Sequence, residues 1–233
     1  MMKKYYLSLG VLAALICCSL AFANSVSVKC TDSATEIVET AEIAESIPRS
    51  NGKILVTYFT SPETDGVDAV AGASRVIVNG DLYGNTEYIA KIISEATGGD
   101  MFAIKTVHVY PGTHKELIDA AKKEVESAAR PQLATHITNL KDYDVIFVGF
   151  PNWWYDMPMP LYSFFEEYDF SGKTIVPFCT HGGSGFSQAL KTIVGLEKDA
   201  KVVKGLPVSR NGVEDAKPRV LKWLQELGFV AAK

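Results

Sequence analysis

The chain has 233 residues, enough for one α/β domain with extensions but too few for a comfortable second domain. With 47% hydrophobic and 21% charged residues, its composition is that of a folded globular protein. The formal net charge is −4, and no long basic block is present. Because phosphate contacts require clustered Lys and Arg, this charge pattern argues against a nucleic acid as the main partner.

The amino terminus has the pattern of an export signal. Lys3 and Lys4 precede an apolar run over residues 7–22, and Ala21-Phe22-Ala23 is a typical cleavage motif. We therefore predict a signal peptide over residues 1–23. The mature chain would be exported, periplasmic or at the cell surface, with no stable membrane span after cleavage. A membrane anchor is the alternative, although the apolar run is short for a span.

Four cysteines are present, of which Cys17 and Cys18 lie in the predicted signal. A lipid anchor at either is disfavoured because Leu15-Ile16 lacks the small residue that such sites usually carry. Cys30 and Cys179 could pair in an oxidising compartment. Because one lies in a polar leader and the other ends an apolar strand, we predict two unpaired thiols. The four histidines show no ligand spacing with cysteine or acidic residues, so we predict no metal site.

Residues 24–50 are polar and acidic, which predicts a tether between the signal and the fold. A surface helix over residues 34–46 is an alternative. We predict that residues 51–233 form the folded domain.

Strand and helix patterns alternate about five times along this domain. The predicted strands lie at residues 54–59, 101–104, 145–150, 174–179 and 200–204. The predicted helices lie at residues 85–97, 115–130, 161–168, 187–194 and 218–227. The strands are apolar throughout, which indicates that both faces of the sheet are covered. Right-handed crossovers then give an α/β fold, a three-layer doubly wound sheet of five parallel strands.

In such a sheet the segments that follow the strands meet at one edge, where ligands bind. The segment after the first strand is Thr60-Ser61, and Gly84-Asn85-Thr86 later opens a helix. Hydroxyl groups and unpaired N–H groups at a helix start favour an anion. Ordinary capping is the alternative. The segment has no Lys and so is not a nucleotide-hydrolysing phosphate loop.

The third predicted strand runs into Pro151, Asn152, Trp153, Trp154 and Tyr155. Flat aromatic side chains at the carboxyl end of a strand can stack on a flat ligand. The alternative is that the indoles belong to the core or to an interface. Two adjacent tryptophans cannot both enter the same layer, so we predict that at least one faces solvent or a ligand.

The segment after the fourth strand is glycine-rich, and its candidate residues are Thr180, His181, Gly182, Gly183 and Gly185. Glycines let the backbone approach a ligand closely and present N–H groups to a ring edge. A hydrolase with Ser184 as nucleophile is a competing interpretation. It is disfavoured because Phe186 interrupts the G-x-S-x-G pattern and no histidine follows residue 181.

An anion site, an aromatic surface and a glycine-rich segment together fit a phosphate joined through a polar linker to a flat heteroaromatic ring. Flavin mononucleotide (FMN) has all three parts. Nicotinamide dinucleotides fit less well, because no G-x-G-x-x-G follows the first strand.

With these segments the chain resembles the flavodoxin family, in particular bacterial flavodoxin-like proteins with a Trp-Trp flavin loop. The resemblance runs from about residue 53 to 229, and its most specific segments are residues 150–154, 170–173 and 177–185. It implies strand order 2-1-3-4-5 and non-covalently bound FMN. The phosphate-loop residues that it implies are Thr60, Ser61, Asn85 and Thr86. The ring-loop residues that it implies are Pro151, Asn152, Trp153, Trp154, Thr180, His181, Gly182, Gly183 and Gly185.

The resemblance implies electron transfer with a redox partner protein that the sequence does not identify. The alternative is an NAD(P)H-dependent FMN oxidoreductase with a quinone or similar acceptor. We favour the carrier because no Arg or Lys cluster near the loops indicates a dinucleotide phosphate site. A module that has lost its flavin is disfavoured by the full set of ring-loop residues.

One departure from the family pattern is an insertion over about residues 62–84, which separates Thr60 and Ser61 from Asn85. Within it, residues 75–83 are typical of a hairpin around Asn79-Gly80. Long loops in compact domains are often functional. The insertion is therefore interpreted as a lid over the phosphate or a docking surface for a partner.

Overall fold

A parallel sheet forms the centre of the part of the chain that the computed structural model describes, residues 52–64 and 74–231. The predicted signal peptide, the polar tether and Cys30 lie outside the described residues. Within those two ranges, no helix combines the length and apolar character needed to cross a membrane.

The described residues contain eight strands and five α-helices. The strands are β1 Ile54–Phe59, β2 Arg75–Val78, β3 Asp81–Gly84, β4 Asp100–Ile104, β5 Val145–Pro151, β6 Thr174–His181, β7 Lys201–Val202 and β8 Leu206–Ser209. The helices are α1 Asn85–Thr97, α2 His114–Glu126, α3 Met159–Glu167, α4 Ala189–Leu196 and α5 Lys217–Glu226.

The sheet order is β4-β1-β5-β6-β7, and β8 also pairs with β6. Every pairing in this sheet is parallel. The predicted α/β class is therefore confirmed. The predicted fifth strand differs in detail, because two short strands, β7 and β8, share the fifth position of the sheet. The interruption falls beside Pro177, which has no backbone N–H to donate.

Alternate side chains of the strands enter two separate cores. In β5, Phe147 packs in the core beneath α1 and α5, whereas Ile146 and Phe150 pack in the core beneath α2, α3 and α4. The sheet is thus covered on both faces, which explains why its strands are apolar throughout.

Helix α1 has the predicted bounds because its signals are local. Ile89, Ile92 and Ile93 are buried and form the expected stripe at spacings of three and four residues. Gly98 ends the helix with φ 72°, the left-handed conformation that glycine adopts without strain.

The insertion contains the antiparallel hairpin β2–β3. Asn79 (φ 53°) and Gly80 (φ 90°) form its two-residue turn, which requires positive φ at both positions. β3 ends at Gly84, and α1 begins at the next residue. The hairpin therefore leads the chain directly to the start of α1.

Candidate functional site

The insertion does not move Thr60 away from the start of α1. A Cβ atom added to Gly84 would lie 2.1 Å from Thr60 Oγ1, so the Thr60 side chain lies directly against the Gly84 backbone. Thr86, in the first turn of α1, is buried, and its Oγ1 lies 2.8 Å from Thr180 Oγ1. Hydroxyl groups from the start of α1 and the end of β6 thus meet at one place.

A cleft of about 240 Å³ lies at the carboxyl ends of β1, β5 and β6. Residues predicted from all three segments line it: Thr60, Ser61, Thr86, Pro151, Asn152, Trp153, Trp154, Thr180, His181 and Gly182. Helix α2 also contributes to the lining, through Leu117, Ile118 and Ala121. The structure therefore brings ten of the thirteen predicted site residues to a single cleft.

The remaining three predicted residues lie close by. Asn85 is buried, and its N–H donates to the Ser74 carbonyl at 2.8 Å. Gly183 lines an adjoining cavity. Gly185 accepts a hydrogen bond at its carbonyl from Asn152 Nδ2 (2.8 Å), which ties the segment after β5 to the segment after β6.

A tight turn carries the aromatic residues after β5. The backbone groups of Trp153 and Asp156 hydrogen-bond to each other in both directions, at 2.9 and 3.1 Å. Between them, Trp154 has φ 51° and Tyr155 has φ 67°. Positive φ is strained for bulky residues, so surrounding contacts must hold this turn.

Asp156 is the anchor of this turn. Its carboxylate accepts hydrogen bonds from the Met157 N–H (2.7 Å), the Tyr162 hydroxyl (3.0 Å) and the Thr192 hydroxyl (2.9 Å). These donors belong to the turn itself, α3 and α4. Asp156 could not be identified from the sequence, because a lone Asp after an aromatic run carries no local signal of these distant partners.

The two adjacent indoles have different surroundings. Trp153 packs edge-on against Phe59, with ring centroids 5.5 Å apart, and against Tyr110, at 5.2 Å. Trp154 is 44% exposed, and its Nε1–H donates to the Ile118 carbonyl of α2 at 3.1 Å. Trp153 is therefore partly buried against the core, and Trp154 is the more exposed of the two indoles, while both line the cleft.

His181 is held as a neutral imidazole. Its Nδ1 accepts the Gly183 N–H at 2.9 Å. Burial, together with the charge of Arg219, lowers the pKa of His181 below its ordinary value. Because Nδ1 is an acceptor, the single proton of the neutral ring lies on Nε2.

Cys179 is a free and buried thiol at the carboxyl end of β6. Burial raises the pKa of this thiol, and its Sγ–H donates to the Gly185 carbonyl. The thiol is therefore inert and helps to hold the glycine-rich segment.

Two further cleft residues, Glu63 and His114, were not identified as a pair from the sequence. His114 Nδ1 lies 2.6 Å from Glu63 Oε1, and both residues line the cleft. They are separated by 51 positions in the chain, so only the folded structure reveals the pair. Across residues 52–64 and 74–231, no group of three His, Cys, Asp or Glu side chains could hold a metal ion.

A second cavity of about 520 Å³ adjoins the cleft. It shares Asn152, Trp154 and Gly182 with the cleft and extends to Tyr155 and Ser184. Trp154 therefore borders both the cleft and the second cavity.

A doubly wound parallel sheet with a cleft at the carboxyl ends of β1, β5 and β6 defines the flavodoxin-like class of α/β proteins. The family model described as Flavodoxin matches residues 75–226, and the chain belongs to this family. The matched residues include the start of α1 and the segments after β5 and β6. No curated protein matches the chain.

Solved structures have the same fold. A crystal structure of a proposed flavoprotein from Bacteroides uniformis has 28% identity and a TM-score of 0.58, with 76% of this chain and 99% of that chain covered. A crystal structure of a proposed flavoprotein from Bacteroides eggerthii has 25% identity and a TM-score of 0.57, with 78% of this chain and 100% of that chain covered. A crystal structure of a flavoprotein from Lactobacillus acidophilus in complex with FMN has 15% identity and a TM-score of 0.51, with 70% of this chain and 97% of that chain covered.

Proposed function

We propose that this protein binds FMN without a covalent link and acts in electron transfer. The observation that supports this most strongly is the single cleft at which the three segments meet. Hydroxyl groups lie at the start of α1, and an exposed indole lies beside the Thr180–Gly182 segment. This set matches a ligand with a phosphate at one end and a flat ring at the other.

The residues of the cleft fit each part of FMN. Thr60, Ser61 and Thr86 would hold the phosphate, beside the positive end of the α1 dipole. Trp154 would stack on the ring, and the N–H groups of the glycine-rich segment would meet its edge. Bound FMN supplies redox chemistry, and the protein contributes orientation, hydrogen bonds and nearby charge. The neutral ring of His181 adds no positive charge beside this ligand.

The visible spectrum of the purified mature chain tests FMN binding. We expect bands at roughly 375 and 450 nm, the absorption of an oxidised flavin, because the cofactor carries the chemistry of a flavoprotein. Released cofactor should be identified as FMN by chromatography. Colourless protein that also fails to bind added FMN would contradict the proposal.

An NAD(P)H-dependent FMN oxidoreductase is the second candidate. The adjoining cavity beside Trp154 and Tyr155 favours it, because a second substrate could reach the ring there. Among the described residues no Lys or Arg lines either cavity, but Lys122 Nζ lies 5.7 Å from the centroid of the Trp154 ring, and a Cβ atom added to Gly182 would lie 3.7 Å from Arg210 Nη1. Anaerobic mixing with NADH or NADPH separates the candidates, since rapid bleaching is expected only of the reductase.

Replacing Trp154 by alanine is expected to weaken FMN binding by about 1–3 kcal/mol, the range for aromatic stacking. Trp154→Phe is the matched control, because it keeps a flat ring and removes the indole N–H that bonds Ile118. It should retain most of the affinity in a fluorescence titration. Equal FMN affinity in Trp154→Ala and the wild type would remove Trp154 from the ring site.

We also propose that the chain is exported and that its redox partner lies outside the cytoplasm, as the amino-terminal pattern favours. Fractionation of cells that express the full chain, with mass spectrometry of its amino terminus, tests this. A mature protein that begins at Asn24 is expected, and an intact amino terminus in the cytoplasm would contradict it.

A further inference from the structure

A guanidinium group lies next to the glycine-rich segment and has no role in the site as described so far. Strand β8 pairs with β6 as far as Ser209 and His181, so the next residues along the two strands, Arg210 and Gly182, are neighbours. A Cβ atom added to Gly182 would lie 3.7 Å from Arg210 Nη1. Gly182 lines both the cleft and the second cavity. The charge of Arg210 is therefore close to the wall of both cavities.

This charge has no partner in the described part of the chain. Arg210 is half-buried, and its Nε is buried without a hydrogen-bond partner. Among residues 52–64 and 74–231 it also forms no ion pair, although the exposed acids Glu214 and Asp215 follow it closely in the chain. Arginine stays protonated at all ordinary pH values. A partly buried charge without a partner is costly, which favours a partner supplied by a ligand.

The core holds Arg210 in this position. Val208 and Val213, on either side of it, are buried in the core beneath α1 and α5. Between them the chain forms one turn of 3-10 helix, Arg210–Gly212. Backbone packing, rather than a bond made by its own side chain, therefore keeps the guanidinium beside Gly182.

Helix α5 adds positive potential near the same segment. Its first turn contains Arg219 and no acidic residue, and the amino-terminal end of a helix is itself positive. Burial is the larger cause of the lowered pKa of His181, and the charge of Arg219 adds to it. The glycine-rich segment that begins at Thr180 is therefore exposed to positive potential, although the chain as a whole has a net charge of −4.

We propose that Arg210, supported by Arg219, favours the reduced, anionic ring of bound FMN and so raises its reduction potential, an inference that rests on the proposed function. Two electrons from the redox partner protein and one proton from solvent give the ring one more negative charge than it has when oxidised. Charge near the ring sets how readily this happens. The guanidinium stays protonated throughout, so Arg210 acts through its charge alone.

The dissociation constants of oxidised and reduced FMN test this, because their ratio sets how far the potential of bound FMN differs from that of free FMN. We expect Arg210→Met to weaken the binding of reduced FMN about tenfold and that of oxidised FMN much less, because the lost attraction acts on the added charge. For a two-electron step, a tenfold change in the ratio lowers the potential by about 30 mV. Arg210→Lys keeps the charge and should keep most of the wild-type ratio. Anaerobic titration with dithionite and a reference dye measures the potential, and fluorescence titration measures the affinity for oxidised FMN.

The free energy of unfolding separates this role from a structural one. Methionine fills similar space without an unpaired charge, so the Arg210→Met apoprotein should be at least as stable as the wild type. If that variant does not fold, Arg210→Gln replaces it and the same ratio decides.

Lys141→Gln is the matched control. It also removes one positive charge, but from an exposed position just before the amino-terminal end of β5, at the edge of the sheet opposite the cleft. It should leave the potential of bound FMN unchanged.

Three results would overturn the proposal. The ratio could be unchanged in Arg210→Met, or both forms of FMN could lose affinity equally, which would make Arg210 a packing residue of the segment. Lys141→Gln could lower the potential as much as Arg210→Met, which would show an effect of net charge only. A wild-type protein that binds FMN in neither form would instead contradict the proposed function itself, so the two failures are distinguishable.

Discussion

Replacing Trp153 by alanine is expected to lower the free energy of unfolding by about 3 kcal/mol, the lower end of the range for large aromatic side chains removed from a core. The indole is partly buried and packs edge-on against Phe59 (interplanar angle 85°) and Tyr110 (74°), so its loss removes contacts between these two core rings and the wall of the cleft. The measurement is urea unfolding of the apoprotein, followed by tryptophan fluorescence and circular dichroism.

The neighbouring Trp154 is the matched control for this effect. It is 44% exposed, so Trp154→Ala should change the free energy of unfolding by about 1 kcal/mol or less. Trp153→Ala should therefore mainly lower the free energy of unfolding, whereas Trp154→Ala should mainly lower FMN affinity. Equal stability losses would contradict the closer packing of Trp153 against the core.

Alanine at position 149 is expected to destabilise the protein by about 3 kcal/mol, the upper end of the usual cost of overpacking. A Cβ atom there would lie 2.1 Å from Phe178 Cζ and 2.3 Å from Cε2. Phe178 is fully buried beneath α1 and α5, so its ring cannot move aside without displacing core neighbours. Gly149 pairs with Tyr58 on one side and Phe178 on the other, and only glycine leaves room between them.

The control for this substitution is Gly195→Ala. Gly195 lies in α4, and a Cβ atom added to it meets nothing within 4 Å. Because alanine has a higher helix propensity than glycine, the free energy of unfolding of this variant should rise by up to about 1 kcal/mol. Combining Gly149→Ala with Phe178→Leu should recover part of the lost stability. Thermal and urea unfolding measure both effects. An unchanged free energy of unfolding in Gly149→Ala would show that the strands move apart at this point without a measurable cost.

Much of the fold could be predicted because its signals are local. The isoleucine stripe of α1 and the apolar run of β1 need no knowledge of distant residues, and both elements have their predicted bounds. Where tertiary contacts intervene, the prediction is less accurate. Helix α2 ends at Glu126, short of the predicted residue 130, and Ala128 has φ 49°. Strand β8 was missed, since its four residues form a strand only by pairing with β6.

The location of the candidate site could also be predicted, because parallel strands bring their carboxyl ends to one edge. Its details could not. Asp156, Glu63 and His114 are ordinary polar residues in the sequence, and their partners lie far along the chain. The insertion before α1 also obscured that Thr60 lies against Gly84.

The sequence by itself determined the parallel sheet, the helix faces and the three segments that meet at the cleft, because side-chain periodicity and strand direction are properties of short stretches of chain. The tertiary structure alone decided that Trp153 packs against two core rings and that Trp154 is the more exposed of the two indoles lining the cleft. Side-chain direction in the turn depends on positive φ at Trp154 and Tyr155, and distant hydrogen bonds hold that conformation. The Glu63–His114 pair arises in the same way, since it depends on where the start of α2 lies relative to the segment after β1.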